Sequence, residues 1–146
     1  FTSGKILSGF HIIRAIALGA DVCMSARAMM MALGCVQALL CNKNTCPTGI
    51  TTQDPQLVAG LVVSDKKVRV ANYHQETVNS FVELLGAAGI ENPRDLTRSH
   101  IYRRVFMNEV RTLEDIYPTL ELGCMLNGNI PPKYKDDFAK AHVDRW

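Results

Sequence analysis

A chain of 146 residues is about one domain's worth of polypeptide, whereas a complete (β/α)₈ barrel needs roughly 200 residues or more. Hydrophobic content of 47% with 21% charged residues excludes a disordered tail or a collagenous repeat. A net charge of +2 leaves no surplus to neutralise a row of phosphates, which argues against nucleic-acid binding. The longest uncharged stretch, Ala28 to Asn42, falls short of the roughly 20 apolar residues of a membrane span, so no membrane segment is expected. The chain opens on Phe1 and reads as an internal or C-terminal piece of something longer, so a missing signal peptide carries no weight.

In chain order, Ser8 to Gly19 predicts a helix, with Ser8 as cap, Ile12, Ile13, Ile16 and Ala17 as its apolar repeat, and Gly19 as its end. Asp21 to Met24 predicts a short buried strand. Nothing else reads as a strand, so its partners are expected in sequence beyond this chain rather than in another subunit. Ala26 to Leu40 predicts a second helix, interrupted by Gly34, and Cys41 to Asp54 a loop with turn signals at Cys46-Pro47 and Thr48-Gly49. A long amphipathic helix is expected from about Asp65 to Ala88, with Val68, Ala71, Val78, Phe81, Leu84 and Leu85 on one face. Asn92-Pro93 starts a further short helix, and Thr97 precedes another reaching about Val105. Beyond Tyr117-Pro118 the pattern decays into a tail. The organisation expected is 1–60 as a first unit that carries the cysteine loop, 61–118 as a helical extension, and 119–146 as the tail.

Five cysteines are an odd number, and three of them fall between Cys35 and Cys46. A secreted disulfide scaffold would use more cysteines, in even number, so a reducing compartment with metal or redox chemistry fits better. Structural zinc takes four protein ligands, commonly in C-x₂₋₄-C pairs, whereas here there are three thiols and only the distant His74. Three thiolates match a cluster of three irons, and the proline after Cys46 echoes ferredoxin runs. Iron–sulfur, zinc and reduced structural cysteines all stay open on spacing alone. A second feature is the glycine-bearing loop Ser3 to Gly9, followed about twenty residues later by Ser25-Ala26-Arg27. Two such loops, each before a helix, are where a phosphate sits at the end of adjacent β/α units.

Cys23 is expected in the core, Cys124 as a free thiol, and Met29, Met30 and Met31 as core filler. His74 is expected on a helix surface or satisfied in the core, His100 near a helix start, and Arg103-Arg104 in solvent. Trp146 is expected either to dock on a parent domain or to be disordered.

The run Gly19-Ala20-Asp21, Ser25-Ala26-Arg27, Ala32-Leu33-Gly34-Cys35, Cys41 and Cys46 through Pro55 resembles the end of the FMN-binding domain of glutamate synthases. The likeness is closer to the shorter "FMN-binding glutamate synthase family" proteins, and Ser64-Asp65-Lys66, Arg69 to His74 and Leu113 to Pro118 extend it over most of the chain. The resemblance implies an α/β fold: the last one or two units of a (β/α)₈ barrel, then a mainly helical extension. It also implies a cytoplasmic oxidoreductase using FMN and a [3Fe–4S] cluster for reductive transfer of glutamine-derived ammonia to 2-oxoglutarate, with ferredoxin or a reductase subunit as electron donor. Cys35, Cys41 and Cys46 would then hold the cluster, and Gly4, Lys5, Ser25, Ala26 and Arg27 would surround the FMN phosphate. The chain departs from the larger synthases at Lys5, which stands at the second glycine of a pair, and at Leu7, which stands at a basic position. The alternative from another class is a non-catalytic, zinc-binding helical module, or a structural fragment without activity of its own.

Overall fold

The computed structural model describes residues 1–144; Trp146 lies outside the described residues. Strand β1 (Thr2–Ser3) leads through a loop to helix α1 (Gly9–Ala17), which returns to strand β2 (Cys23–Met24). The two strands pair in parallel, Thr2 with Cys23 and Ser3 with Met24, so the first unit is β–α–β. The strand expected at Asp21–Met24 therefore finds one partner inside the chain, at Thr2–Ser3, where none was expected. Two residues are too short a run for alternation to show, so β1 carries no strand signal in the sequence.

Helix α1 begins after Ser8, whose extended backbone suits an N-cap, but the Ser8 hydroxyl pairs with His11 Nδ1 at 2.8 Å instead of capping the backbone. At the other end Gly19 takes φ +104, and its amide donates to the Ile16 carbonyl at 2.8 Å. Helix α2 (Arg27–Leu33) is shorter than the sequence suggests. Gly34 turns left-handed at φ +106 and the Cys35 amide reaches back to the Met30 carbonyl, so the chain leaves the helix there. The helix-prone residues Val36 to Leu40 lie in the irregular stretch that follows. Met29 and Met30 are half-buried, while Met31 faces solvent.

A one-turn helix α3 (Pro55–Val58), capped by Asp54, precedes the long α4 (Val63–Ala87). The covered stripe of α4 runs through Val70, Tyr73, Thr77, Val78 and Phe81, all half-buried, to the buried Leu85; Val68, Ala71 and Leu84 are exposed, contrary to the expected face. Spacings of three and four set that stripe, and the packing partners decide which of two adjacent apolar rows is covered. Helix α1 packs on the C-terminal half of α4 and α2 on its N-terminal half.

Beyond α4, short 3₁₀ turns at Pro93–Asp95 and Arg98–His100 lead into an antiparallel hairpin, β3 (Tyr102–Phe106) and β4 (Glu109–Thr112). This replaces the helix expected after Thr97. Tyr102, Val105 and Phe106 are strand formers, and Met107-Asn108 makes the turn. His100 Nδ1 instead accepts from the Thr97 amide at 3.0 Å, closing the second 3₁₀ turn. Arg103 and Arg104 are exposed, as expected, but on a strand. Helices α5 (Leu113–Ile116) and α6 (Lys135–Lys140) complete the chain, the latter in the expected tail.

One hydrophobic cluster joins these parts: Ile13 and Ala17 of α1, Leu85 of α4, then Leu96, Ile101 and Leu113, with Phe81 and Ile116 packed against them. The cluster is small for the chain. The accessible surface is 11086 Å², against roughly 7,500 Å² for a folded monomer of 16.2 kDa. Phe1, Leu39, Met107 and Leu122 are each more than four-fifths exposed.

Candidate functional site

The parallel pairing of β1 with β2 sets the two glycine-bearing loops side by side. Ser3, Gly4, Lys5, Ile6 and Leu7 from one, with Met24, Ala26 and Arg27 from the other, line a single cavity of about 130 Å³. Four of the five residues expected around a phosphate thus share one small recess, and the fifth, Ser25, ties the loops together. Its hydroxyl donates to the Ile6 carbonyl at 2.7 Å. Gly4 and Lys5 both have positive φ, +99 and +55. Lysine thus adopts a left-handed backbone that glycine would reach without steric cost. Its side chain is exposed, as is that of Arg27, the first residue of α2. Ile6 is the buried anchor of the loop, at 5% exposure.

The three clustered cysteines lie on the irregular stretch between α2 and α3. Cys35 is half-buried, and its sulfur accepts from the Gln37 amide at 3.4 Å. Cys41 is exposed and Cys46 buried. Hydrogen bonds from the Thr48 hydroxyl, then from the Thr51 and Thr48 backbone, bring the Cys46 thiol down to about 6 from 9.0. The Thr51 hydroxyl is buried there without a hydrogen-bond partner among the described residues. A buried sulfur whose neighbours favour the thiolate and a second sulfur receiving an amide have the chemistry of thiolate ligands. The three sulfurs are not gathered: among the described residues no three His, Cys, Asp or Glu side chains stand close enough to hold one ion.

Side chains without an expected role shape this stretch. Asn44 closes its second half, its backbone carbonyl accepting from the Thr52 hydroxyl and its Oδ1 from the Gln53 amide, both at 2.7 Å. Gly49, at φ +76, packs so tightly on the Leu57 carbonyl that a Cβ would collide with it. Thr48 acts within this stretch, its hydroxyl 3.4 Å from the Cys46 sulfur, whereas Tyr73 of α4 donates to the distant Leu7 carbonyl at 2.6 Å; neither carries a sequence signal of its own. Cys23, in β2, is half-buried with its thiol pushed up by burial, and Cys124 is a buried free thiol. His74 lies on the exposed side of α4. Among the described residues no helix is long and apolar enough to cross a membrane.

Residues 1–91 match the sequence profile described as "Conserved region in glutamate synthase". The chain is 43% identical over 104 residues to the glutamate synthase large subunit-like protein YerD of Bacillus subtilis, covering 71% of this chain and 20% of that protein. It is 42% identical over 94 residues to the archaeal glutamate synthase [NADPH] of Methanocaldococcus jannaschii, covering 64% of this chain and 18% of that one. With glutamate synthase [NADH] of Saccharomyces cerevisiae it shares 26% identity over 145 residues, 97% of this chain and 7% of the yeast protein. The chain therefore spans about a fifth or less of these relatives' lengths. No solved structure matches it. The match over most of the chain, through both loops and all three clustered cysteines, means that this chain belongs to the glutamate synthase family.

Proposed function

We propose that the chain is the C-terminal part of the synthase domain of a cytoplasmic, glutamate-synthase-like oxidoreductase. It would supply the last one or two units of a (β/α)₈ barrel, a phosphate site for FMN and the cysteines of a [3Fe–4S] cluster. Bound FMN and cluster would supply the electrons that convert 2-oxoglutarate and glutamine-derived ammonia to glutamate. The observation carrying this reading is the β1–α1–β2 unit, whose two loops line one recess with Lys5 and Arg27 at its edge.

The chain's own residues divide the work. Gly4 lets the backbone approach an anion closely. Arg27 offers a bidentate fork to phosphate oxygens, and Lys5 a point charge. Ser25 fixes one loop to the other. Cys35, Cys41 and Cys46 offer soft sulfur donors, which requires the Cys35–Cys46 stretch to fold around the metal. The excess accessible surface, about the size of a large obligate interface, supports the remainder of the barrel as the principal partner. Ferredoxin or a reductase subunit completes the electron path.

The test is metal and flavin analysis of the full-length protein prepared anaerobically. A brown protein with FMN, about three irons and about four sulfides per chain is the expected result. Cys41→Ser should bleach the colour. A colourless protein with stoichiometric zinc and no iron would instead establish the zinc-binding module.

A further inference from the structure

The loop that lines the recess is held from two directions by side-chain hydroxyls acting on consecutive carbonyls. Ser25 donates to the carbonyl of Ile6 at 2.7 Å. Tyr73 donates to the carbonyl of Leu7 at 2.6 Å, across 66 residues of sequence. Ser25 comes from the neighbouring loop, whereas Tyr73 comes from the middle of α4, outside the β–α–β unit altogether. We infer that Tyr73 is a positioning residue for the anion recess, setting through the Leu7 carbonyl the backbone that presents Gly4 and Lys5. This rests on the proposed phosphate site and adds to it a residue of the extension that touches no ligand.

The geometry of the loop and of α4 carries the inference. Gly4 and Lys5 hold positive φ in succession, and a lysine in that region persists only where its surroundings impose it. Ile6 is 5% exposed, so the loop is anchored immediately after Lys5 and can transmit a constraint applied there. The Ile6 and Leu7 carbonyls point to different donors on different elements, so removing one leaves the loop free to pivot about the other. Gly9, two residues after Leu7, is pressed on the Phe81 backbone of α4, so the same helix fixes both the loop and the start of α1. Tyr73 is placed on the row of α4 that faces these elements, half-buried, with its hydroxyl at the loop.

The experiment compares FMN and riboflavin binding to the full-length apoprotein by quenching of flavin fluorescence, in the wild type and in Tyr73→Phe. The substitution keeps the ring and removes only the hydroxyl. Loss of one such hydrogen bond predicts FMN binding weakened about three- to tenfold, with riboflavin binding unchanged because riboflavin has no phosphate to place. Thermal midpoints of the two proteins are measured alongside. Equal weakening of FMN and riboflavin would make Tyr73 a structural residue only and overturn the inference. So would an unchanged preference for FMN in the variant. A wild type that binds both flavins equally would sink the phosphate site itself, and the inference with it; the wild-type ratio separates the two failures.

Discussion

Gly9 and Phe81 meet backbone to backbone: a Cβ on Gly9 would stand 2.5 Å from the Phe81 nitrogen and 2.9 Å from its Cα. No side chain can move aside to relieve such a contact, so α1 must shift on α4. Gly9→Ala should therefore destabilise the protein by about 1–3 kcal/mol, despite alanine's better helix propensity. Urea unfolding should show a lower midpoint with an unchanged slope. A midpoint equal to that of the wild type would mean that the two helices lie further apart.

Arg27 heads α2 at the edge of the recess and forms no ion pair among the described residues. A charge-assisted hydrogen bond contributes roughly 1.5–3 kcal/mol, so Arg27→Ala should weaken FMN binding by about ten- to a hundredfold. Riboflavin titration of the same variant should be almost unaffected. Parallel losses for both flavins would assign Arg27 to holding the fold.

Asp115 and Thr112 form a reciprocal cap on α5. The carboxylate accepts from the Thr112 hydroxyl at 2.6 Å and from its amide at 2.9 Å, and the Asp115 amide donates to the Thr112 hydroxyl at 3.1 Å. These bonds, with a smaller contribution from the Arg111 charge, hold the Asp115 carboxyl below its ordinary 3.8. A depressed folded-state value means that the cap contributes fully above the unfolded value and is lost as pH falls through the folded one. The difference in thermal midpoint between wild type and Asp115→Asn should be constant from neutral pH down to about 5 and shrink below about 4. A difference that grows on acidification would contradict the cap.

The isolated 146 residues carry far more accessible surface than their mass requires, with large side chains such as Leu122 at 99% and Phe1 at 92% exposure. They should therefore self-associate, which sedimentation velocity at several concentrations will reveal. They should also bind FMN poorly, because the recess accommodates little more than the phosphate. A monodisperse monomer with submicromolar FMN affinity would mean that the flavin needs nothing outside this chain.

Local chemistry made some of this legible in advance. Gly19 and Gly34 stop their helices where a glycine in a left-handed conformation must, and Asn92 caps its 3₁₀ turn by accepting from the Arg94 amide at 3.0 Å. What failed were the judgements that need a tertiary partner. Which row of α4 is covered depends on where α1 and α2 lie, and the choice between Val68-Ala71 and Val70-Tyr73 is invisible from one helix. The Tyr102–Phe106 strand was hidden by Thr97, a sound cap for a turn that ends after His100. At the recess the residue types were readable from two glycine-bearing loops, but their meeting depends on two strand residues too few to show a pattern. The cysteines were readable as chemistry and not as geometry, since nothing local decides how far α2 runs toward Cys41.

The brevity of the β1–β2 pairing makes the molecule's tolerance of length change lopsided. At Gly19, where a Cβ would meet nothing within 4 Å, the crossing between the strands opens to solvent and can take added residues while both rims of the recess stay in place. One residue added between Ser3 and Ile6 would be a different matter. It would displace Lys5 along the recess and draw the buried Ile6 out of its anchor. Descendants of this sequence can lengthen their outer turns freely, but the spacing from Thr2 to Leu7 is as constrained as the identity of any residue within it.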